Sequence, residues 1–301
     1  NPLNPSTGPN PGATTCSTVG TVGAAGPGRQ PAQSAGSTNA KPIGPPGVPS
    51  GKAIGGGAEI LTSGEFTGQV TQDPKNDWEL YSKKAKKPAT HFVFHDTAGT
   101  SWKGFVRNSA AQCLKQGNCL GVTFSISAES SAKIRQHQML TRRSNHANYV
   151  NAFAHGVEVV NIFDPDKKKE SQKGLEIISA PWEKVGKVIS PSRSQLEQGF
   201  RLVSHLNKLP KSEGGGLIWE FPNIVNGNFQ FKTLPKSHVK NNPGIYAHGH
   251  ISAGRRDGYL MVIYCWLRGN GYPPDSAYAA MKNVSANATG PRGESKLPPP
   301  R

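Results

Sequence analysis

The chain has 301 residues, with 35 Lys and Arg against 19 Asp and Glu, and a formal net charge of +16. It contains no apolar run long enough to span a bilayer, no repeat of fixed period and no CxxC pair typical of a structural zinc finger. Its four cysteines are too few and too scattered for a disulfide scaffold, although Cys113 and Cys119 could close a short loop in an oxidising compartment. The excess of basic residues indicates an anionic partner, which could be a nucleic acid or a phosphate-bearing polymer of a bacterial envelope.

Composition divides the chain into three segments. Residues 1–58 consist mainly of Gly, Pro, Ser, Thr and Ala, and they cannot bury enough apolar surface to offset their conformational entropy. We expect them to form a flexible or extended tether. Residues 285–301 have a similar composition and are predicted to be a flexible tail. Residues 59–284 remain between them, which is enough for one well-cored domain.

The first part of this domain is rich in β-favouring runs. Strands are predicted at 90–95, 121–126, 133–140 and 155–163. Between the first two strands, apolar residues recur at helical spacing over 101–116. A second helix is predicted near 192–208, because Ser192 and Gln195 have the spacing of a capping box ahead of an apolar stripe.

The second part of the domain is less regular. Residues 217–221 could form a short strand, while much of 210–245 is predicted to be loop. Residues 259–267 are apolar on all sides and are therefore expected to be buried, and a last short helix is expected near 276–284. Strands mixed with helices predict an α/β domain, in which a single mixed central β-sheet is flanked by helices and follows a disordered or extended N-terminal segment.

Several polar residues could build a catalytic metal site. A catalytic zinc ion needs three protein ligands and an open position for water. His95 ends a predicted buried strand, and His248 and Asp257 flank a compact loop whose two ends could reach one ion. Glu158 lies within an apolar strand, where a carboxylate needs a partner. Each of these residues alone could instead be structural or solvent-facing, so the hypothesis depends on all four together.

Three segments carry motifs of one known family. Residues 92–100 read FVFHDTAGT, an apolar strand that ends in a histidine and a Thr-Ala-Gly turn. A His-Ala pair at 146–147 is followed by Asn151 and then by Gly-Val-Glu at 156–158. Residues 247–257 read AHGHISAGRRD. Together these segments resemble the type 2 N-acetylmuramoyl-L-alanine amidases, a family that includes phage lysins, bacterial muropeptide amidases and animal peptidoglycan recognition proteins.

The resemblance covers roughly residues 88–270 and implies a peptidoglycan hydrolase. Such an enzyme cleaves the amide bond between N-acetylmuramic acid and L-alanine with zinc-activated water. By this resemblance, Zn²⁺ is held by His95, His248 and Asp257, and Glu158 is the general base.

The resemblance also implies further site residues. Arg255 or Arg256 would steady the oxyanion, and His146 and Asn151 would contact the muropeptide. Each has a structural alternative. The arginine could be a surface charge that faces the polymer, and the two loop residues could belong to a polar loop that hydrogen-bonds to itself.

The sequence departs from the family's pattern at several positions. Asn145 stands where the family usually has Trp, and Gly258 stands where a Pro usually follows the ligand Asp. The ligand loop is also shorter by one residue than in members that bear Asp. His250 lies in this loop and could be the true ligand instead of one of the residues proposed above.

Two other classes of function remain open at this point. A peptidoglycan-binding module would keep the cleft without hydrolysing the polymer, and a basic structural or nucleic-acid-binding protein would use the net positive charge. The Gly- and Pro-rich segment suggests attachment to something larger, and a phage particle is one hypothesis for that partner. No signal peptide is visible, and an enzyme of this kind is expected to face the extracellular space or the cell wall, as a virion-associated or secreted protein.

Overall fold

The computed structural model describes residues 87–97, 99, 121–128, 130–137, 140–141, 144–168, 174–213 and 215–301. The predicted tether at 1–58, the helix predicted at 101–116 and the Cys113–Cys119 pair lie outside the described residues. These expectations, and the start of the folded domain at residue 59, therefore stay predictions.

Ten strands and five α-helices are formed by the described residues. The strands are β1 (His91–Asp96), β2 (Phe124–Ile126), β3 (Ile134–Gln136), β4 (Ala154–Val159), β5 (Ile177–Ser179), β6 (Lys187–Ile189), β7 (Ile224–Val225), β8 (Asn228–Gln230), β9 (Gly244–Ala247) and β10 (Glu294–Lys296). The helices are α1 (Arg193–Lys208), α2 (Lys236–Asn241), α3 (His248–Ile251), α4 (Tyr259–Gly269) and α5 (Pro274–Ala286). None of these helices is both long and apolar enough to cross a membrane.

A five-stranded mixed sheet forms the centre of the fold, with strand order β3-β2-β4-β1-β9. Strand β1 is parallel to both of its neighbours, β4 and β9. Strand β2 is parallel to β4, whereas β3 closes the edge as an antiparallel hairpin partner of β2. The predicted α/β class with a single mixed central sheet flanked by helices is confirmed. A three-stranded sheet, β10-β8-β7, and the hairpin β5-β6 are smaller additions.

The two faces of the central sheet pack differently. Phe92 and Phe94 of β1 belong to the larger apolar core, which they share with buried residues of α1 and α4. Val93 points to the opposite face and belongs to a smaller cluster, which contains Tyr246 and Val150. Because side chains alternate along a strand, His95 leaves β1 on the same face as Val93. This second face carries the candidate site.

Helix α1 begins where the sequence predicts. The Ser192 hydroxyl oxygen accepts the N–H of Gln195 at 3.1 Å, and the Gln195 side-chain oxygen accepts the N–H of Ser192 at 2.9 Å. This reciprocal pair satisfies two backbone donors that the first turn of a helix leaves without partners. The apolar stripe behind it is buried against the sheet.

Three local predictions differ from the structure. Residues 217–221 form no strand, although the Glu220 carbonyl accepts the N–H of Ile245 in β9 at 2.9 Å. Strand β9 begins inside the stretch 210–245, much of which was predicted to be loop. The prediction of a flexible tail at 285–301 is wrong, because β10 pairs antiparallel with β8 and buries Ser295 and Leu297. The Tyr272 hydroxyl also donates to the Pro299 carbonyl at 2.8 Å.

Candidate metal centre

The first predicted ligand, His95, lies near the carboxyl end of β1. Its side chain is buried, and its Nδ1 is 3.9 Å from Oδ2 of Asp257. Burial lowers the pKa of His95 well below its ordinary value, and His248, His146 and Arg255 lower it further. The imidazole is therefore neutral at physiological pH and has a lone pair to offer to a cation.

Strand β9 brings the second ligand to the same edge of the sheet. Because β9 runs parallel to β1, the carboxyl ends of the two strands meet, and His248 follows β9 directly as the first residue of α3. The ring centroids of His95 and His248 are 4.3 Å apart, and Nδ1 of His248 is 3.1 Å from Oδ2 of Asp257. One ligand atom from each of the three residues lies within 4.8 Å of the others. The structure thus brings the predicted ligand set together.

The donor set fits a zinc ion. Two imidazole nitrogens and one carboxylate oxygen are a usual ligand combination of catalytic zinc, and they leave a fourth position for water. In a tetrahedral site with metal–ligand distances near 2.1 Å, ligand atoms are about 3.4 Å apart. The separations from Asp257 Oδ2, 3.1 Å to His248 and 3.9 Å to His95, lie on either side of that value.

A close backbone approach fixes the position of Asp257. The next residue, Gly258, has φ +88°, and a Cβ there would lie 2.2 Å from the carbonyl oxygen of Phe94 in β1. Only glycine combines that left-handed conformation with so little space. Glycine therefore stands here in place of the family's Pro because the backbone at residue 258 passes directly over the strand that carries His95.

Asp96 is a residue of the site to which the sequence analysis assigned no role. Its Oδ2 accepts the N–H of Gly258 at 2.9 Å, and its own N–H donates to Oδ2 of Asp257 at 3.4 Å. Burial raises the pKa of Asp96 to about 7, opposed by the hydrogen bond from Gly258 and reinforced by the Asp257 carboxylate. Asp96 thus ties the ligand loop to β1. The signal was present, because Asp96 lies within the FVFHDTAG motif.

Glu158 stands beside the ligands on the adjacent strand. Parallel pairing places it directly opposite His95, so the two side chains leave the same face of the sheet. Burial raises the pKa of Glu158 well above its ordinary value, and the nearby carboxyl groups of Asp257 and Asp96 raise it further. Arg255 opposes these effects. A carboxylate with a raised pKa binds a proton more readily than an exposed one, which suits acid–base chemistry.

The two arginines of the ligand loop have different surroundings. Nη1 of Arg256 donates to Oε1 of Glu183 at 3.2 Å and to the Trp182 carbonyl at 3.4 Å, in a largely buried contact. Arg255 is exposed, yet it is close enough to lower the pKa of both His95 and Glu158. Of the two predicted oxyanion residues, the structure therefore leaves Arg255 available for a ligand and gives Arg256 a structural contact.

The loop that was predicted to contact the muropeptide lies against the first ligand. Nδ1 of His146 is 3.0 Å from Nε2 of His95. Oδ1 of Asn151 accepts the N–H groups of His146 and Ala147, at 3.0 and 2.7 Å. Asn151 is buried, so the described contacts make it a residue that shapes the loop, as in the self-bonded alternative considered from the sequence.

His250 is a structural histidine, so its alternative assignment as a metal ligand is corrected. It is fully buried, its Nδ1 accepts the N–H of Ala247 at 3.0 Å, and its Nε2 donates to the Gln230 carbonyl at 2.8 Å. Both ring nitrogens are therefore occupied by backbone groups. Burial lowers the pKa of His250 to about 3, which keeps the ring neutral.

Among the comparisons with known proteins, only the comparison with solved structures found matches. The sequence matches no protein-family model and no curated protein. The endolysin N-acetylmuramoyl-L-alanine amidase LysCS from Clostridium intestinale is 11% identical, over 60% of this chain and 86% of its own, with a TM-score of 0.34. Drosophila peptidoglycan recognition protein SD is 14% identical, over 64% of this chain and 85% of its own, with a TM-score of 0.33.

A third similar structure is peptidoglycan recognition protein LE in complex with tracheal cytotoxin, a monomeric diaminopimelic acid-type peptidoglycan. It is 12% identical, over 60% of this chain and 86% of its own, with a TM-score of 0.34. Amidases and recognition proteins thus both occur among the similar structures.

Proposed function

We propose that this chain is a zinc-dependent amidase that hydrolyses the bond between N-acetylmuramic acid and L-alanine in peptidoglycan. The observation that carries the proposal is the meeting of His95, His248 and Asp257, whose ligand atoms lie within 4.8 Å of one another. Glu158 lies on the adjacent strand, opposite His95. The bond and the substrate come from the resemblance of the motifs at 92–100, 146–158 and 247–257 to the type 2 amidases.

The position and charge of each side chain suggest its role in the proposed reaction. Zinc in this site would supply a Lewis acid for the amide carbonyl and would lower the pKa of water to near neutrality. Glu158 accepts a proton from the attacking water and delivers it to the leaving amine, a role for which its raised pKa is suited. The exposed guanidinium of Arg255 is placed to stabilise negative charge on the carbonyl oxygen.

Digestion of purified sacculi tests the proposal. The full chain is loaded with zinc and incubated with sacculi, and mass spectrometry identifies the broken bond. We expect new L-alanine amino groups, intact glycan strands, loss of activity after chelation and recovery on adding zinc. His248→Ala should bind no zinc and release nothing. Cleavage between sugars or inside the stem peptide contradicts the bond assignment.

The same experiment separates the competing functions. A binding module would retain sacculi in a pull-down and release no amino groups, with or without zinc. A nucleic-acid-binding protein would bind DNA with an affinity that falls steeply as salt rises, and would leave sacculi intact. Either result contradicts the amidase.

We also propose that the protein acts outside the cytoplasm, on the wall from its outer side or from a virion. The net charge of +16 would favour adsorption to anionic envelope polymers. Immunodetection in purified virions and in culture medium tests this location, and recovery in the cytosolic fraction alone contradicts it.

A further inference from the structure

His146 contacts the candidate ligand His95 on the side away from Asp257. Nδ1 of His95 faces Asp257 at 3.9 Å, whereas Nε2 of His95 lies 3.0 Å from Nδ1 of His146. The two rings are nearly perpendicular, with an interplanar angle of 82° and centroids 5.2 Å apart. The edge of the His95 ring that does not face the ligand set therefore meets a nitrogen of His146.

The loop around His146 is held in one conformation from within. Oδ1 of Asn151 accepts two consecutive backbone N–H groups, from His146 at 3.0 Å and from Ala147 at 2.7 Å. Asn151 and Ala147 are both buried. The backbone that carries the imidazole is thus fixed by a buried side chain.

The imidazole of His146 occupies the space next to Gly156 of β4, a residue that has no side chain. A Cβ on Gly156 of β4 would lie 2.4 Å from Nδ1, 2.5 Å from Cγ and 2.7 Å from Cε1 of His146. Gly156 precedes Glu158 by two residues and therefore lies on the same face of the strand. Any side chain at position 156 would displace the ring from His95, which gives Gly156 a role that the sequence motif did not reveal.

We propose that His146 is a positioning residue for the metal ligand His95, an inference that rests on the proposed zinc site. For Nδ1 of His95 to offer its lone pair to the ion, the proton of the ring must reside on Nε2. Nδ1 of His146 accepts that Nε2–H, which selects the ligating tautomer and fixes the plane of the ring. Partners of this kind orient metal-binding histidines, and their loss typically weakens metal affinity about 10- to 100-fold.

This role differs from the muropeptide contact predicted from the sequence. A residue that only contacts substrate affects KM and leaves zinc affinity unchanged. A positioning residue affects zinc affinity in the absence of any substrate. The two roles are therefore separable by measuring the zinc dissociation constant without peptidoglycan.

Two substitutions at the same site provide the test. His146→Asn keeps an acceptor oxygen near the position of Nδ1, and His146→Phe keeps the ring shape without an acceptor. We expect zinc affinity, measured by competition with a chromophoric chelator, to fall about 10- to 100-fold in His146→Phe and to stay near wild type in His146→Asn. Nitrogen NMR of the zinc-loaded wild type should show the His95 proton on Nε2.

Gly156→Ala perturbs the same contact without altering His146 itself. We expect it to weaken zinc binding as His146→Phe does, whereas Gly99→Ala should leave it unchanged because no atom of the described residues lies within 4 Å of the added Cβ. Circular dichroism confirms that each variant is folded.

The outcomes separate this inference from the proposed function. Equal zinc affinity in folded His146→Phe and wild type overturns the positioning role, and a raised KM in that variant assigns His146 to substrate binding. A proton on Nδ1 of His95 in the zinc-loaded protein overturns it as well. A wild-type chain that binds no zinc overturns both the proposed function and this inference.

Discussion

Glu158 lies directly opposite His95 in the parallel pairing of β4 with β1, and both side chains leave the sheet on the face that carries the candidate site. The candidate general base and the first candidate ligand are thus held by backbone hydrogen bonds of the central sheet. Their relative position does not depend on a loop. Burial beside two other carboxyl groups raises the pKa of Glu158, so its proton affinity follows from the same arrangement.

Substitution Glu158→Gln separates proton transfer from metal binding. The amide keeps the size of the side chain but cannot exchange a proton, so we expect kcat on sacculi to fall about 100- to 10,000-fold. The zinc dissociation constant should stay near that of wild type, because Glu158 is outside the ligand set. Glu176→Gln is a matched control, since that carboxylate bonds to Lys282 away from the site. Weakened zinc binding in Glu158→Gln would make Glu158 a ligand instead.

Two glycines of the ligand loop test the close approach of the loop to β1. Gly258 and Gly254 both have positive φ, of +88° and +84°, but among the described residues only Gly258 has backbone within reach of an added Cβ. We expect Gly254→Ala to lower the free energy of unfolding by about 1 kcal/mol, from backbone strain alone. Gly258→Ala should cost about 3 kcal/mol or more and should also weaken zinc binding. Urea denaturation of the metal-free proteins measures both, and equal costs would contradict the steric argument.

The two arginines should respond in opposite ways to substitution by alanine. Arg255→Ala removes the exposed guanidinium that we propose stabilises the oxyanion, so kcat should fall about 100-fold with little change in stability. Arg256→Ala breaks the largely buried pair with Glu183, and the free energy of unfolding should fall by about 2 kcal/mol. Arg255→Lys should recover part of the activity. A kinetic defect confined to Arg256→Ala would reverse the assignment.

A buried histidine on the strand edge predicts an acid-sensitive fold. His137 is buried with Nε2 2.8 Å from the Ser125 hydroxyl, and burial, with a contribution from Arg135, lowers its pKa to about 3. The unfolded chain binds a proton near pH 6.5 and the folded chain does not, so stability is full above pH 6.5 and declines as pH falls toward 3. The total loss from this residue is on the order of 5 kcal/mol.

Substitution His137→Gln isolates this contribution. Gln can keep a polar atom near the Ser125 hydroxyl but does not titrate in this range, so the decline between pH 6.5 and 3 should be shallower than in wild type. Thermal unfolding of the metal-free proteins across that range measures the slopes. Parallel slopes would assign the acid sensitivity to other groups.

The C-terminal strand should contribute to stability. Leu297 is buried, and its N–H donates to the Gly227 carbonyl at 2.9 Å. We expect Leu297→Ala to lower the free energy of unfolding by about 2–3 kcal/mol. The adjacent Lys296 is exposed, and Lys296→Ala should change stability by less than about 0.5 kcal/mol. Equal effects of the two substitutions on stability would instead support the flexible tail that was predicted from composition.

Local patterns were enough to predict much of the fold. The capping box at Ser192 and Gln195 determines where α1 begins, because the signal lies within four consecutive residues. The apolar run at 259–267 is buried in α4 as its composition required. The candidate ligands could be named because each stands in a short motif, and the sheet order then brings His95 and His248 to the same edge.

Features that depend on distant partners could not be predicted in this way. Strand β10 is polar and Pro-flanked in sequence, and only pairing with β8 buries Ser295 and Leu297. The contact between His146 and His95 requires a residue without a side chain at position 156, and the hydrophobic periodicity of the sequence does not indicate this requirement. The choice between Arg255 and Arg256 depends on Glu183, more than seventy residues earlier in the chain.

The link between Asp96 and Asp257 joins residues that are 161 positions apart. A nascent chain that has reached only β8 can already pair β1 with β4, yet it lacks His248 and Asp257 and so has no complete ligand set. The candidate ligand set is therefore complete only after β9 and the loop that follows it have docked. A fragment cut short before β9 would keep Glu158 but would lack two of the three candidate ligands.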